Sequence, residues 1–134
     1  MNTKATTTRK DCVFAICEFA KIYRADKNAT PRDMFKRTGY RRHYASITQE
    51  QVIDLLRTHP ILVDEWRMFS QDKRWTPAWF LKKRSENIWR VGYVDRGGNT
   101  IQEILFSDSA SACALMIRME MEDLRQRERN GTRY

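Results

Sequence analysis

Hydrophobic positions along the chain change their period near Pro77, and that change separates two kinds of element. Before it, apolar residues recur at three- and four-residue intervals. Val13, Ile16, Cys17 and Ala20 mark a helix from Asp11 to Arg24, with Phe14 and Phe19 widening its stripe. Asn28-Ala29 breaks that helix, and Thr30-Pro31-Arg32-Asp33 starts another. There Thr supplies an N-cap oxygen, Pro fits the first helical position, and Asp sits near the positive dipole end. Met34 and Phe35 face the core in this short helix, and Gly39 ends it. Tyr40 to Ser46 reads as a basic, aromatic loop. Thr48-Gln49-Glu50-Gln51 has the form of a capping box ahead of Val52, Leu55 and Leu56. His59-Pro60 stops that helix, with Pro60 placed to open the next, where Leu62, Val63, Trp66 and Phe69 keep helical spacing. Ser70 to Arg74 is a polar connection.

After Pro77 the period falls to two. Trp79-Phe80-Leu81 begins a strand that returns through Arg84-Ser85-Glu86-Asn87. Trp89, Val91 and Tyr93 then alternate with Arg90, Gly92 and Val94, as in a half-buried strand. Arg96-Gly97-Gly98-Asn99 tolerates the positive φ needed to reverse the chain, and Ile101, Glu103 and Leu105 alternate with Gln102, Ile104 and Phe106. Ser107-Asp108 offers capping oxygens before a last helix of about Ser109 to Arg127, whose main stripe is Cys113, Ile117, Met121 and Leu124. Ala110, Ala112, Ala114, Met116 and Met119 widen it. A hairpin cannot bury its own apolar face, so this helix is expected to cover the sheet. The order of helices, then strands, then one helix predicts an α+β fold: N-terminal helices and a three-stranded antiparallel meander beneath a long C-terminal helix. Residues 1–10 read as a flexible tail, 11–130 as a single domain and 131–134 as a frayed end.

With 134 residues, 41% hydrophobic, the chain suits one core and is too apolar for disorder throughout. The polar N-terminus lacks the apolar core of a secretory signal, and no apolar run could span a bilayer. The expected location is therefore the cytoplasm, with no membrane partner. Cys12, Cys17 and Cys113 are odd in number and lack CxxC spacing, so they read as buried free thiols. The net charge of +8 is uneven: residues 1–42 hold 11 Lys/Arg against 4 Asp/Glu, and residues 43–134 hold 14 against 13. Such asymmetry fits an acidic partner, whether nucleic acid or protein.

Candidate chemistry is thin. His43 and His59 have no nucleophile placed beside them by sequence, and ligands for zinc are too few at workable spacing. Glu120, Glu122 and Asp123 are interleaved with Arg118, Arg125 and Arg127, which reads as a solvated, ion-paired helix face. Gly97-Gly98 lacks the frame of a phosphate loop. No catalytic residue, cofactor site or metal site is predicted, and an enzyme is not expected. Lys36 to Tyr44 is the most suggestive segment, with four cations and two tyrosines in nine residues. Arginine forks grip phosphates or carboxylates and tyrosines stack on bases, yet Arg and Tyr are also common anchors of protein interfaces. The helix after Thr48 carries Glu50 and Asp54 against Arg57, which disfavours its use as a DNA recognition helix. Among Trp66, Trp75, Trp79 and Trp89, the first and last read as core, while Trp75 and Trp79 flank a Thr-Pro turn where contact roles are open.

Trp66 with Ser70-Gln71-Asp72-Lys73-Arg74, Trp79-Phe80, Trp89-Arg90-Val91-Gly92-Tyr93 and Phe106-Ser107-Asp108 with Ala112-Cys113-Ala114 form a combined pattern. It resembles small bacterial immunity proteins that neutralise polymorphic toxins, including those of contact-dependent growth inhibition systems, over about half the chain. The resemblance implies a cytoplasmic, non-enzymatic inhibitor that binds one cognate toxin domain and blocks its active site or substrate groove. Its basicity departs from immunity proteins that face basic nucleases, so either the toxin carries an acidic patch or contact uses Asp64-Glu65 or Glu120-Glu122-Asp123. Expected partner-binding residues are Tyr40, Arg41, Arg42 and Tyr44, with Trp75 and Trp79 second. The alternative is a nucleic-acid-binding accessory protein that uses the basic N-terminal third.

Overall fold

The computed structural model describes residues 8–72 and 77–131, so the expectations for the first seven residues, for Trp75 and for residues 132–134 lie outside the described residues. Five helices come first: α1 (Arg9–Ala25), α2 (Pro31–Thr38), α3 (Tyr40–His43), α4 (Gln49–Thr58) and α5 (Ile61–Asp72). Strands β1 (Ala78–Ser85), β2 (Ile88–Val94) and β3 (Thr100–Phe106) follow, and α6 (Ser109–Arg129) closes the chain. The sheet is antiparallel in the order β1-β2-β3, so the fold is α+β as the sequence predicts.

Local chemistry explains most element boundaries. Thr8 and Asp11 cap α1 reciprocally, so that helix begins ahead of the expected Asp11. Thr30 accepts from Asp33 N ahead of Pro31, and Thr48 and Gln51 form the capping box of α4. Asp95 accepts from the amides of Gly97 and Asn99, both at 2.9 Å, and Gly98 takes φ +83° to complete the β2–β3 turn. Where a loop was expected after Gly39, Tyr40–His43 instead forms one helical turn. Gly39 at φ 77° redirects the chain, while buried Thr38 donates to Phe35 O and accepts from Tyr40 N. The short α3 is therefore continuous in hydrogen bonding with the end of α2.

Helix α6 is the centre of the molecule and more than a lid. It packs on α4, α5 and α2 and also on the inner face of the sheet. Cys113, Ile117, Met121 and Leu124 are buried as expected, together with Ala110, Ala112, Ala114 and Met116. The first two turns of α6, Ala110 to Ile117, are apolar on nearly all sides and so belong inside, whereas its later turns carry charge. Phe19, Tyr23, Trp66 and Phe69 join α1 to α5 in one aromatic cluster, and Trp66 Nε1 donates to Cys17 O at 2.9 Å. Arg24 ties the same helices at the surface through Glu65 at 2.8 Å and Asp72 at 3.3 Å. All three cysteines are free and buried, and burial raises the thiols of Cys12 to about 11 and Cys17 to about 12.

Three expectations are corrected. Phe14 does not join the core; it is exposed and meets the His59 ring edge-on at 5.6 Å. Glu120 is buried, so the acidic face of α6 is ion-paired but not wholly solvated. The cover over the sheet is incomplete as well. Trp89, Val91 and Leu81 are buried on the inner face, but Ile101, Ile104 and Leu105 of β3 are 57%, 50% and 49% exposed. Of these, Ile104 pairs with Val91 on the inner face, whereas Leu105 pairs with Arg90 on the outer face, away from α6.

Candidate functional site

The basic aromatic segment is held on α6 by a ladder of charged side chains. Tyr40 lies wholly in the core against Phe35, and its hydroxyl donates to Glu122 Oε2 at 2.5 Å. Burial, reinforced by that hydrogen bond, raises the phenol above its ordinary range and keeps it a donor. Burial alone would also raise the Glu122 carboxyl. Hydrogen bonds from Arg125 and Tyr40 outweigh it and hold Glu122 below its usual value. Arg125 meets Glu122 at 2.8 Å and lies 3.9 Å from the centre of the Tyr44 ring. Arg118 donates to the carbonyls of Ile47 at 2.9 Å and Tyr44 at 3.4 Å. Arg41 closes the ladder on Glu128, with Nη2 at 2.6 Å and Nε at 2.9 Å from the same oxygen.

The expected anchors therefore divide. Tyr40 is corrected from a surface contact to a structural post, because a ring with no exposure cannot touch a partner unless α3 leaves α6. Arg41 and Arg42 are exposed and Tyr44 is 37% exposed, so these three sit together on the outer side of the turn. Trp79 is half-buried on β1 with its ring 5.1 Å from Tyr93, away from this turn in the fold.

Four cations around the turn, Arg32, Lys36, Arg37 and Arg42, make no ion pair among the described residues. Residues 31–44 hold five Lys/Arg and one acid, Asp33, a local charge of +4 before His43 is counted. Below them the α6 ladder is balanced: residues 118–129 hold four arginines and four acids. The uncompensated charge is thus concentrated on α2 and α3. The acids named as an alternative contact are engaged elsewhere, Asp64 with Arg67, Glu65 with Arg24, Glu122 with Arg125 and Asp123 with Arg127.

Sequence reasoning found the segment but not its support. Arg118, Glu122, Arg125 and Glu128 recur at three- and four-residue intervals, and that spacing was the available signal. Their partners lie some 70 to 90 residues away in sequence, which no local pattern reveals. Chemically, the exposed guanidinium groups of Arg32, Arg37 and Arg42 can grip carboxylates or other anions from a turn held on α6 by Tyr40 and Arg41. A shallow groove of about 310 Å³ between the end of α1 and Asp72 is lined by Tyr23, Arg24, Asp26 and Lys27. Its arginine is already committed to Glu65 and Asp72. Among the described residues no His, Cys, Asp and Glu set is placed to hold a metal, and no helix is long and apolar enough to cross a membrane. Comparison with known proteins finds no matching family model, no matching curated protein and no matching solved structure.

Proposed function

We propose that this chain is a non-enzymatic, cytoplasmic immunity protein that binds a bacterial toxin domain through α2 and α3 and blocks it by occlusion. One observation carries the reading: Arg32, Lys36, Arg37 and Arg42, without an ion pair among the described residues, surround a turn already immobilised on α6. Ordering charged side chains during binding costs about 0.5–1.5 kcal/mol each, and a turn fixed beforehand avoids part of that cost. The partner implied is a protein with an acidic patch, because this surface is cationic and Asp64, Glu65, Glu122 and Asp123 already have arginine partners. Arg41, Arg42 and Tyr44 are the central contacts, and Tyr40 acts through them as a positioning residue. An interface of standard size, roughly 1,200–2,000 Å², would exclude substrate by volume without any bond being made.

The test is growth protection and binding against the C-terminal domain of a large protein encoded immediately upstream. The wild-type chain protects cells and binds that domain. Arg41→Glu with Arg42→Glu weakens binding about 10- to 100-fold, largely through a slower association rate. Affinity unchanged by this double reversal removes α3 from the interface and overturns the assignment. Salt-sensitive binding to a labelled RNA or DNA, abolished by the same reversal without any toxin binding, would replace it with the nucleic-acid reading.

A further inference from the structure

Arg41 differs from Arg32, Arg37 and Arg42 in that a carboxylate already holds it. Its Nε donates to Glu128 Oε1 at 2.9 Å, and its Nη2 lies 2.6 Å from the same oxygen. Those two nitrogens form one edge of the guanidinium plane. Nη1 makes no hydrogen bond among the described residues. The Arg41 side chain is 67% exposed and that of Glu128 only 12%, so the arginine covers the acid. The end of the guanidinium formed by Nη1 and Nη2 stays open. Such an end can take a second carboxylate through two parallel hydrogen bonds.

Glu128 is a poor choice for the stability of α6. It sits in the last turn, where Arg127 and Arg129 suit the helix dipole and a carboxylate opposes it. Its Oε2 is buried and has no hydrogen-bond partner among the described residues, a costly state for a charged oxygen. Departures of this kind from local preference are characteristic of functional positions. What Glu128 achieves is to fix Arg41 at its far end. Tyr40, one residue earlier, fixes the backbone through Glu122. A surface arginine ordinarily loses rotamer freedom when it binds, and one held at both ends has already lost it.

We infer that Arg41 is a preset carboxylate fork and Glu128 its positioning residue: Glu128 bonds the Nε–Nη2 edge, so that the Nη1–Nη2 end is presented to a side-chain carboxylate of the partner. This rests on the reading of α3 as the contact surface and names the group that surface takes. Charge and position predict opposite signs here. Glu128 adds a negative charge to a cationic surface, so on charge alone its removal strengthens the binding of an anion. On position, its removal frees Arg41 and weakens that binding.

Titration of the full chain with hexaglutamate at low salt, followed by NMR of the backbone amides and of the Arg41 Nε–H, separates the two. The wild type binds, and the Arg41 signal moves with occupancy. Glu128→Gln weakens binding about three- to tenfold, the cost of ordering a freed arginine. Asp33→Asn removes the same unit of charge from an exposed position with no ion pair among the described residues, and it tightens binding. Arg41→Lys keeps the charge without the fork, and in that background Glu128→Gln no longer weakens binding. Glu128→Gln preserves side-chain shape, so amide signals away from the turn stay as in the wild type. Binding tightened alike by Glu128→Gln and Asp33→Asn, or weakening that persists with Lys at position 41, overturns the positioning role. An Arg41 signal that hexaglutamate does not move overturns the fork. Neither outcome depends on a toxin: these shifts without toxin binding would remove only the immunity reading.

Discussion

Gly92 offers the sharpest check on the packing described above. It lies buried in the middle strand without a positive φ, so the reason for glycine there is space and not backbone conformation. A Cβ at this position would meet Phe80 Cζ at 2.5 Å, Phe80 Cε2 at 2.7 Å and the Gln102 carbonyl oxygen at 2.5 Å. Phe80 is on the outer face of the sheet, yet only 7% exposed, because its ring lies over Gly92 beneath Lys82 and Arg90. Substitution by alanine ordinarily stabilises a strand glycine by about 0.5–1 kcal/mol through the unfolded chain. Here the ring must lift, losing part of the roughly 1.5–3 kcal/mol of its burial, and overpacking adds about 1–3 kcal/mol. The Gln102 oxygen belongs to the backbone of β3, so it cannot rotate aside. Gly92→Ala should therefore destabilise the fold by about 1–3 kcal/mol, seen in urea as a midpoint lowered by roughly 1 M at a slope near 2 kcal/mol/M. In a Phe80→Ala background the ring contribution disappears and the Gln102 contribution stays, giving a coupling of about 1 kcal/mol. A neutral or stabilising Gly92→Ala, or a cost unchanged by Phe80→Ala, would refute the argument.

Two further outcomes follow from hydrogen bonds to carboxylates. Asp108 caps α6 and accepts from Ser111 Oγ at 2.5 Å and Ser111 N at 3.0 Å; these bonds, the side-chain one foremost, hold its carboxyl below the ordinary value. A depressed folded value means that the unfolded chain takes up the proton first as pH falls. This contribution is thus complete above about pH 4 and is lost in more acid solution. Asp108→Ala should cost about 1 kcal/mol at neutral pH and remove that part of the acid slope, as read by denaturation between pH 7 and pH 2.5. Tyr40→Phe deletes the 2.5 Å bond to the Glu122 carboxylate and should cost about 1.5–3 kcal/mol, measured by thermal unfolding; a loss under about 0.5 kcal/mol would contradict the ladder.

What the sequence determined by itself is what depends on neighbours three or four residues away. The caps at Thr30 and Thr48, the Asp108 start of α6, the Gly39 stop and the strands after Ile88 and Thr100 all follow from local hydrogen bonding and side-chain direction, and all are present. The basic aromatic segment was legible for the same reason, being nine consecutive residues. Which of its members reach the surface was not. Tyr40 and Tyr44 are alike in sequence, but only Tyr40 finds Phe35 beside it and Glu122 above it. The apolar residues of β3 look equally ready for burial, yet Ile104 on the inner face and Leu105 on the outer face both stay about half exposed. Burial belongs to whichever distant element arrives first and fits. That choice lies in the tertiary packing, because periodicity tells a residue's direction but not what meets it there.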